Sequence, residues 1–252
     1  MSSGWGYPAH ASRGRGIDPR MAMWVIAGLA VLVVLVRTHR VTELEILLFC
    51  ALVPSVILHE VSHGAMALAF GDDTAKRAGR LTLNPVRHID PFGTIILPIL
   101  LTLSGHGTFG YAKPVPVNVS RLRHPRNEGV VVSLVGPAVN IVLALAFGLA
   151  YAHLVPFSVK VLALSFQPTW AQLIFAAGYV NVILAVFNLI PLPPLDGSAV
   201  VERLLPRELL PGYYRIRPFT IVLPLLVILL YPQALNDIFQ PALNEWGRIV
   251  GI

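Results

Sequence analysis

Long apolar runs alternate with short polar connections along the chain, and this pattern predicts its elements. An apolar run of about 20 residues is long enough to cross a bilayer as a helix. The runs with this character predict a short first span and three further membrane-spanning helices: 21–36, 45–70, 129–152 and 218–236.

The uncharged run 161–195 is longer than one crossing needs. We expect a span to begin near Trp170 and to end where three prolines follow within a few residues, because proline breaks helical hydrogen bonding. The prolines occur in "NLIPLPPLDG", residues 188–197, and Asp196 is the first charged residue after the run.

The connections between the spans differ in character. Residues 71–92 are polar and rich in loop signals, whereas 93–105 is apolar but too short for an ordinary span and predicts a re-entrant or interfacial segment. Pro114 and Pro116 favour an extended backbone after it. The Gly/Ser/Arg-rich residues 1–20 predict a disordered tail, 21–236 a membrane-embedded domain, and 237–252 an interfacial tail.

Composition supports an all-α polytopic membrane protein with about five to six transmembrane segments. Only 13% of the residues are charged, against about 25% in an ordinary soluble domain. The net charge of +6 therefore indicates membrane topology and contact with anionic lipid, and no nucleic-acid partner is expected. Cys50 is the single cysteine, which excludes an intrachain disulfide and a cysteine-rich zinc site.

The chemistry is concentrated in "HEVSH", residues 59–63, inside the second span. His59 and His63 are one helical turn apart on one face, so both imidazoles can reach one zinc ion. Glu60 points about 100° away and can act as a general base on water that zinc activates. A chance match with structural histidines is the alternative, but a carboxylate inside a span costs roughly 2.5–3.5 kcal/mol.

A zinc site of this kind needs a third protein ligand, and Asp196 is the best candidate. A broken helix inside a membrane is tolerated only against protein or a water-filled cavity, and an active site supplies both. The alternative is that Asp196 simply marks the membrane edge. His88, in "RHIDP", is interpreted as a loop residue and not as a ligand.

"HEVSH" together with "NLIPLPPLDG" resembles the site-2 protease family of intramembrane zinc metalloproteases. The stretches "GRLTLNPVRHIDPFGTIILP", "YAKPVPVN" and "GPAVN" resemble its compact members, and the resemblance covers roughly residues 45–200. It implies that His59, His63 and Asp196 bind one Zn²⁺ and that Glu60 is the catalytic base. It also implies a three-span catalytic core and proteolysis of transmembrane substrates. The PDZ and CBS domains of many relatives are not found in the sequence.

Weaker candidates surround this set. By resemblance, Asn188 orients the substrate or the active-site loop, and helix-end capping is the alternative. Asn140, in "GPAVN", faces the active site or forms an interhelical hydrogen bond. The segment "YAKPVPVN" could pair with an unwound substrate as an added strand, or it is an interfacial loop.

The leading hypothesis is an intramembrane zinc endopeptidase that cleaves single-span membrane proteins in the lipid bilayer. The alternative is a catalytically silent relative that binds or chaperones membrane proteins; the intact Glu60 argues against it. A metal-ion transporter is a third class, but it would be expected to carry polar residues along several spans and not near one depth.

Basic residues predict the orientation of the chain in the cell membrane. With a cytoplasmic N-terminus, all of the 19 Lys and Arg residues lie on the cytoplasmic side except Arg37, Arg40, Lys160 and Arg248. A cysteine placed near Arg123 should therefore be protected from a membrane-impermeant thiol reagent added outside intact cells. Clear external labelling at that position would overturn the orientation.

Overall fold

The described part of the chain is helical and contains no β-strand. The computed structural model describes residues 42–90, 113–206, 208–216 and 232–251. In chain order the helices are α1 (Glu43–Ala69), α2 (Thr74–Arg77), α3 (Pro125–Leu154), α4 (Phe157–Lys160), α5 (Thr169–Leu189), α6 (Ser198–Leu204), α7 (Leu210–Ile216) and α8 (Pro232–Val250). Short 3-10 turns occupy Pro85–Arg87, Val119–Arg121 and Leu164–Phe166.

Three of these helices are long and apolar enough to cross a membrane: α1, α3 and α5. They contain 27, 30 and 21 residues, so at 1.5 Å per residue they are roughly 30–45 Å long. They coincide with the predicted spans 45–70 and 129–152 and with the span expected to begin near Trp170. The predicted tail 1–20, the span 21–36, the segment 93–105 and most of the span 218–236 lie outside the described residues.

Local sequence explains where the long helices begin and end. The Thr42 hydroxyl accepts from the Glu45 amide while the Glu45 carboxylate accepts from the Thr42 amide, which caps the start of α1. Gly71, at φ 105°, takes the left-handed conformation that turns the chain after α1. Pro125 begins α3, where a missing N–H costs nothing, and the proline-rich loop ends α5.

Small residues bring α1, α3 and α5 together. Ala51 of α1 packs against Ala176, Ala177 and Val180 of α5. Such side chains allow close approach of helices where lipid removes the usual hydrophobic driving force. All three pairs of long helices are in contact, so they form the bundle in which the candidate site lies.

Helix α8 packs against α3 and α5 through Trp246, which is only 7% exposed. The indole N–H donates to the Ala144 carbonyl at 2.8 Å. The ring fills space left by two glycines: a Cβ at Gly148 would lie 2.6 Å from the indole nitrogen, and one at Gly178 2.5 Å from Cζ2. The predicted interfacial tail 237–252 thus includes a side chain that is buried among the long helices.

Truncation of this tryptophan tests how much the packing of α8 stabilises the bundle. Trp246→Ala should lower the free energy of unfolding by about 3–5 kcal/mol, since a buried ring and its hydrogen bond are lost. The amount of bound zinc should not change. Thermal unfolding of the purified protein in detergent measures the first effect and metal analysis the second. Trp170→Ala is the matched control, because Trp170 is 48% exposed. Equal midpoints for the two variants would contradict the packing role.

Candidate metal and catalytic site

Three side chains converge between α1 and the loop after α5. Nε2 of His59 lies 3.0 Å from Nε2 of His63, and Oδ2 of Asp196 lies 3.0 Å from the first nitrogen and 3.4 Å from the second. The two histidines are buried, and the Asp196 side chain is 20% exposed. The structure therefore brings together the three side chains that the sequence predicts as ligands.

The opposite nitrogen of each imidazole is already engaged. Nδ1 of His63 lies 2.6 Å from the Val132 carbonyl, which can only accept, so this nitrogen carries the hydrogen. Nδ1 of His59 lies 2.6 Å from Oδ1 of Asn140. Both histidines thus direct an Nε2 lone pair toward Asp196, as a metal-binding imidazole must.

This donor set fits a zinc ion. Two lone pairs and a carboxylate face one another, and Oδ2 of Asp196 is buried without a hydrogen-bond partner. Such an arrangement is repulsive unless a metal ion lies among the three atoms or a proton is bound to one Nε2. Ligands at about 2.0–2.1 Å around tetrahedral zinc are separated by roughly 3.3 Å, which agrees with the observed spacings.

Gly136 of α3 makes room for the imidazole pair. A Cβ atom there would lie 2.6 Å from Cε1 of His63 and 2.7 Å from Cε1 of His59. Real Cβ atoms do not approach other atoms that closely, so a larger residue would displace the rings. The glycine of "GPAVN" is therefore part of the site's shape.

The proline-rich loop places Asp196 by closing a ring of backbone. The Gly197 amide donates to the Asn188 carbonyl at 2.7 Å, and a Cβ at Gly197 would lie 2.6 Å from the Leu189 carbonyl carbon. The side-chain amide of Asn188 donates back to the Leu184 carbonyl at 3.0 Å, within its own helix. Asn188 thus shapes the loop through its backbone while its side chain engages the helix end.

Glu60 is held by a backbone amide from the segment 113–118. The Val115 N–H donates to Oε2 of Glu60 at 2.8 Å. The segment can approach α1 this closely because Gly64 lacks a side chain; a Cβ there would lie 2.8 Å from Cγ1 of Val115. The amides of Lys113 and Asn118 also donate within the chain, to the His88 carbonyl and to Asp72, so these three N–H groups are not available to a pairing strand.

Arg80 fastens the same segment from the other side. Its guanidinium, only 8% exposed as a residue, donates to the carbonyls of Arg87, Lys113 (2.7 Å) and Pro114 (3.3 Å). A buried cation that satisfies three backbone acceptors fixes their relative positions. Arg80 therefore restrains the two residues that precede the Val115 amide.

Asp72 anchors the far end of the segment just beyond α1. It accepts from the Asn118 amide at 2.6 Å, from the Thr74 amide at 3.0 Å and from the Thr74 hydroxyl. Burial alone would raise the pKa of Asp72, but these hydrogen bonds and the nearby Arg121 hold that pKa below its ordinary value. Asp72 therefore stabilises the folded state at a pH above the pKa that its carboxyl has in the unfolded chain. This stabilisation is lost as the pH falls through the lower pKa of the folded state.

His88 lies outside the converging set. It is 2% exposed, and its Nε2 donates to the Thr82 carbonyl at 2.8 Å. Among the described residues, the group that could hold a metal consists of His59, His63 and Asp196. His88 therefore supports the loop 82–88 through its hydrogen bond to the Thr82 carbonyl.

Several neighbours of the site were not identified from the sequence as having a role. Arg80 and the Val115 amide act through contacts with residues distant in the chain, and Asn181 is one of three side-chain amides in an otherwise apolar helix. A side-chain amide near the middle of a membrane span could have drawn attention to Asn181. Neither the motif spacing nor the hydropathy pattern carried a signal for the other two.

Comparison with known proteins agrees with this geometry. The family model described as "Peptidase family M50" matches residues 47–230. "Putative zinc metalloprotease YwhC" of Bacillus subtilis is 43% identical, over 63% of this chain and 69% of the relative. "Putative zinc metalloprotease Rip2" of Mycolicibacterium smegmatis is 33% identical, over 80% of this chain and 70% of the relative.

The relative of the same name from Mycobacterium tuberculosis is 33% identical over 76% of this chain and 66% of its own length. No solved structure matches. With its HExxH helix, its three converging donors and a match that covers most of its length, the chain belongs to peptidase family M50, the site-2 protease family of zinc metallopeptidases.

Proposed function

We propose that the chain hydrolyses peptide bonds in or near transmembrane segments of single-span membrane proteins, in regulated intramembrane proteolysis. The observation that carries the proposal is the depth of the donor set. His59 and His63 lie roughly 9–15 Å from the end of α1, inside a helix that is long enough to span a bilayer. A zinc peptidase with its site at this depth serves substrates that are themselves in the membrane.

His59, His63 and Asp196 would hold the zinc ion, and Asn140 would orient His59. Bound there, zinc supplies Lewis-acid polarisation of the scissile carbonyl and lowers the pKa of water. Asp196, from the loop after α5, would tie that loop to α1 through the shared ion.

Glu60 acts as the general base and then as the general acid. It takes a proton from the attacking water and returns it to the departing amine nitrogen. The Val115 amide holds Oε2, which leaves the other carboxylate oxygen for the water. Since the base is one residue away from a ligand on the same helix, water, base and metal are brought together by one element.

The substrate must lose its helix locally before it can react. An intact transmembrane helix keeps its carbonyls in internal hydrogen bonds, so helix-breaking residues near the cut site favour cleavage. We further propose that the site lies toward the cytoplasmic face of the cell membrane and that the N-terminus is cytoplasmic, as the distribution of basic residues predicts.

The catalytically silent alternative is less well supported. A binding protein would not need a general base beside two histidines. Nor would it need a backbone donor that holds this base, on a segment that a buried arginine restrains. Cleavage of co-expressed single-span candidates by the wild type distinguishes the two functions, because the silent relative would leave every candidate intact.

The ligand assignment predicts about one zinc per purified chain. Asp196→Ala should lose it, because three protein ligands are reduced to two at a site that needs all three. Metal analysis of the purified protein checks this. Undiminished zinc in the Asp196→Ala protein would reject that ligand.

Two glycines of α3 supply a matched control for the geometry. Gly136→Ala should also lower the zinc content, since the added methyl group overlaps both imidazoles. Gly129→Ala makes the same change in the same helix, but its nearest neighbour is Val119 at 3.5 Å, so zinc should stay bound. Equal zinc in both variants would contradict the close fit around the rings.

The mechanism predicts that Glu60→Gln keeps its zinc and loses its chemistry. Glutamine has a similar shape but cannot take a proton, so cleavage should fall by about 10²–10⁴-fold. Uncleaved substrate should co-purify with the variant, since the binding cleft is unchanged. The measurement is cleavage of a co-expressed single-span substrate, with His59→Ala as the variant that loses zinc and activity together. Cleavage by the Glu60→Gln protein at the wild-type rate would contradict the proposed mechanism.

A further inference from the structure

A chain of buried polar side chains leads away from His59 across the bundle. Asn140 of α3 donates through Nδ2 to Oδ1 of Asn181 of α5 at 2.7 Å, and Asn181 donates to Oγ of Ser55 of α1 at 2.8 Å. The two asparagines are fully buried and Ser55 is 4% exposed. The chain therefore crosses all three long helices without reaching solvent.

Backbone carbonyls fix the direction of every hydrogen bond in this chain. Asn181 lies 2.8 Å from the Ala177 carbonyl, which can only accept, so the amide nitrogen of Asn181 must face it. Ser55 lies 2.8 Å from the Ala51 carbonyl and must donate there, so its oxygen accepts from the same nitrogen. The carbonyl oxygen of Asn181 is thereby left to accept from Asn140.

The same reasoning continues to the metal ligand. Because Asn140 donates to Asn181, its own oxygen faces Nδ1 of His59 and accepts from it. Turning the Asn140 amide around would place its oxygen against the side-chain oxygen of Asn181. Turning Asn181 as well would set its oxygen against the Ala177 carbonyl. No arrangement other than the observed one satisfies the whole chain.

We propose that Asn181 is a positioning residue for zinc, which sets the tautomer of His59 through Asn140 while touching neither the metal nor a ligand. The inference rests on the proposed function only in taking His59 as a ligand. With Asn181 in place, Asn140 can only accept from His59, and Nε2 of His59 keeps its lone pair for the ion. Without Asn181, Asn140 is free to turn and to donate to Nδ1, which would move the hydrogen to Nε2.

His63 does not depend on this chain. Its Nδ1 donates directly to the Val132 carbonyl, a group that cannot turn around. The tautomers of the two histidines are therefore fixed in different ways. A backbone carbonyl fixes that of His63, whereas a chain of hydrogen-bonded side chains, itself oriented by backbone carbonyls, fixes that of His59. Loss of Asn181 should weaken one of the three ligands and leave the site otherwise intact.

The test is the zinc dissociation constant of the full chain in detergent, measured by competition with a chromophoric chelator. Removing an outer hydrogen-bond partner of a metal ligand weakens metal binding by about 10–100-fold. The zinc dissociation constant of Asn140→Leu should therefore rise by a factor in that range. Asn181→Leu should weaken binding by about 10-fold, at the lower end of the same range. Ser55→Ala should leave the constant unchanged, because the Ala177 carbonyl still orients Asn181.

Gln172→Leu is the matched control. Gln172 is also a buried amide on α5, 3% exposed, but it donates to the Gln167 carbonyl, away from the site. Thermal unfolding should be affected similarly by Gln172→Leu and Asn181→Leu, whereas zinc affinity should fall only for Asn181→Leu. If Asn181→Leu fails to fold, Asn181→Ala and Gln172→Ala make the same comparison with smaller side chains.

Unchanged affinity in the Asn181 variant, or an equal loss in the Gln172 variant, would overturn the inference. His59→Ala separates this failure from failure of the proposed function. If His59→Ala retained full zinc binding, the ligand assignment itself would be wrong. If His59→Ala lost zinc while Asn181→Leu bound it normally, the ligand assignment would stand and the role of Asn181 would not.

Discussion

Two imidazole lone pairs and a carboxylate oxygen point at one another inside a bundle of apolar helices, and the surrounding structure is arranged around that repulsion. Oδ2 of Asp196 is within 3.4 Å of both Nε2 atoms and has no hydrogen-bond donor of its own. Burial of such a group is costly unless a cation compensates for it. Because the enzyme is a zinc metallopeptidase, we attribute the arrangement to the ion.

Backbone groups provide much of the restraint around this centre. The Val132 carbonyl orients His63, the Val115 amide holds Glu60, and the Asn188 carbonyl closes the loop that carries Asp196. Backbone groups lose little conformational freedom when they form such contacts, since the elements that carry them are already ordered. His59 differs, because its orientation depends on side-chain amides, whose direction is fixed only through a chain of hydrogen bonds that ends on backbone carbonyls.

Local patterns in the sequence were sufficient for the long helices and for the central pair of histidines. An apolar run that exceeds the bilayer thickness and an i, i+4 spacing are both properties of a single helix, so they can be read without knowledge of the neighbours. Asp196 could be predicted as a ligand because prolines that break an apolar helix require a polar environment. These are the side chains that the structure brings together.

The supporting contacts could not be found in that way, because each joins residues far apart in the chain. Nothing near Arg80 indicates that its guanidinium reaches the carbonyls of Lys113 and Pro114. Gly136 looks like any glycine in a membrane span until the two imidazoles are placed beside it. Trp246 likewise belongs to an amphipathic helix, and the space for its ring is left by two glycines on other helices.

The amide that holds Glu60 stands between Pro114 and Pro116, neither of which has an N–H to donate. Pro116 also restricts the backbone of Val115, the residue that precedes it, so the donor has little freedom to turn away from Glu60. The side chain at position 115 takes no part in this hydrogen bond, which requires only a residue other than proline. In distant chains the same arrangement would be recognised by two prolines separated by one residue, downstream of the HExxH helix. It would remain recognisable even where the residue between the prolines had changed.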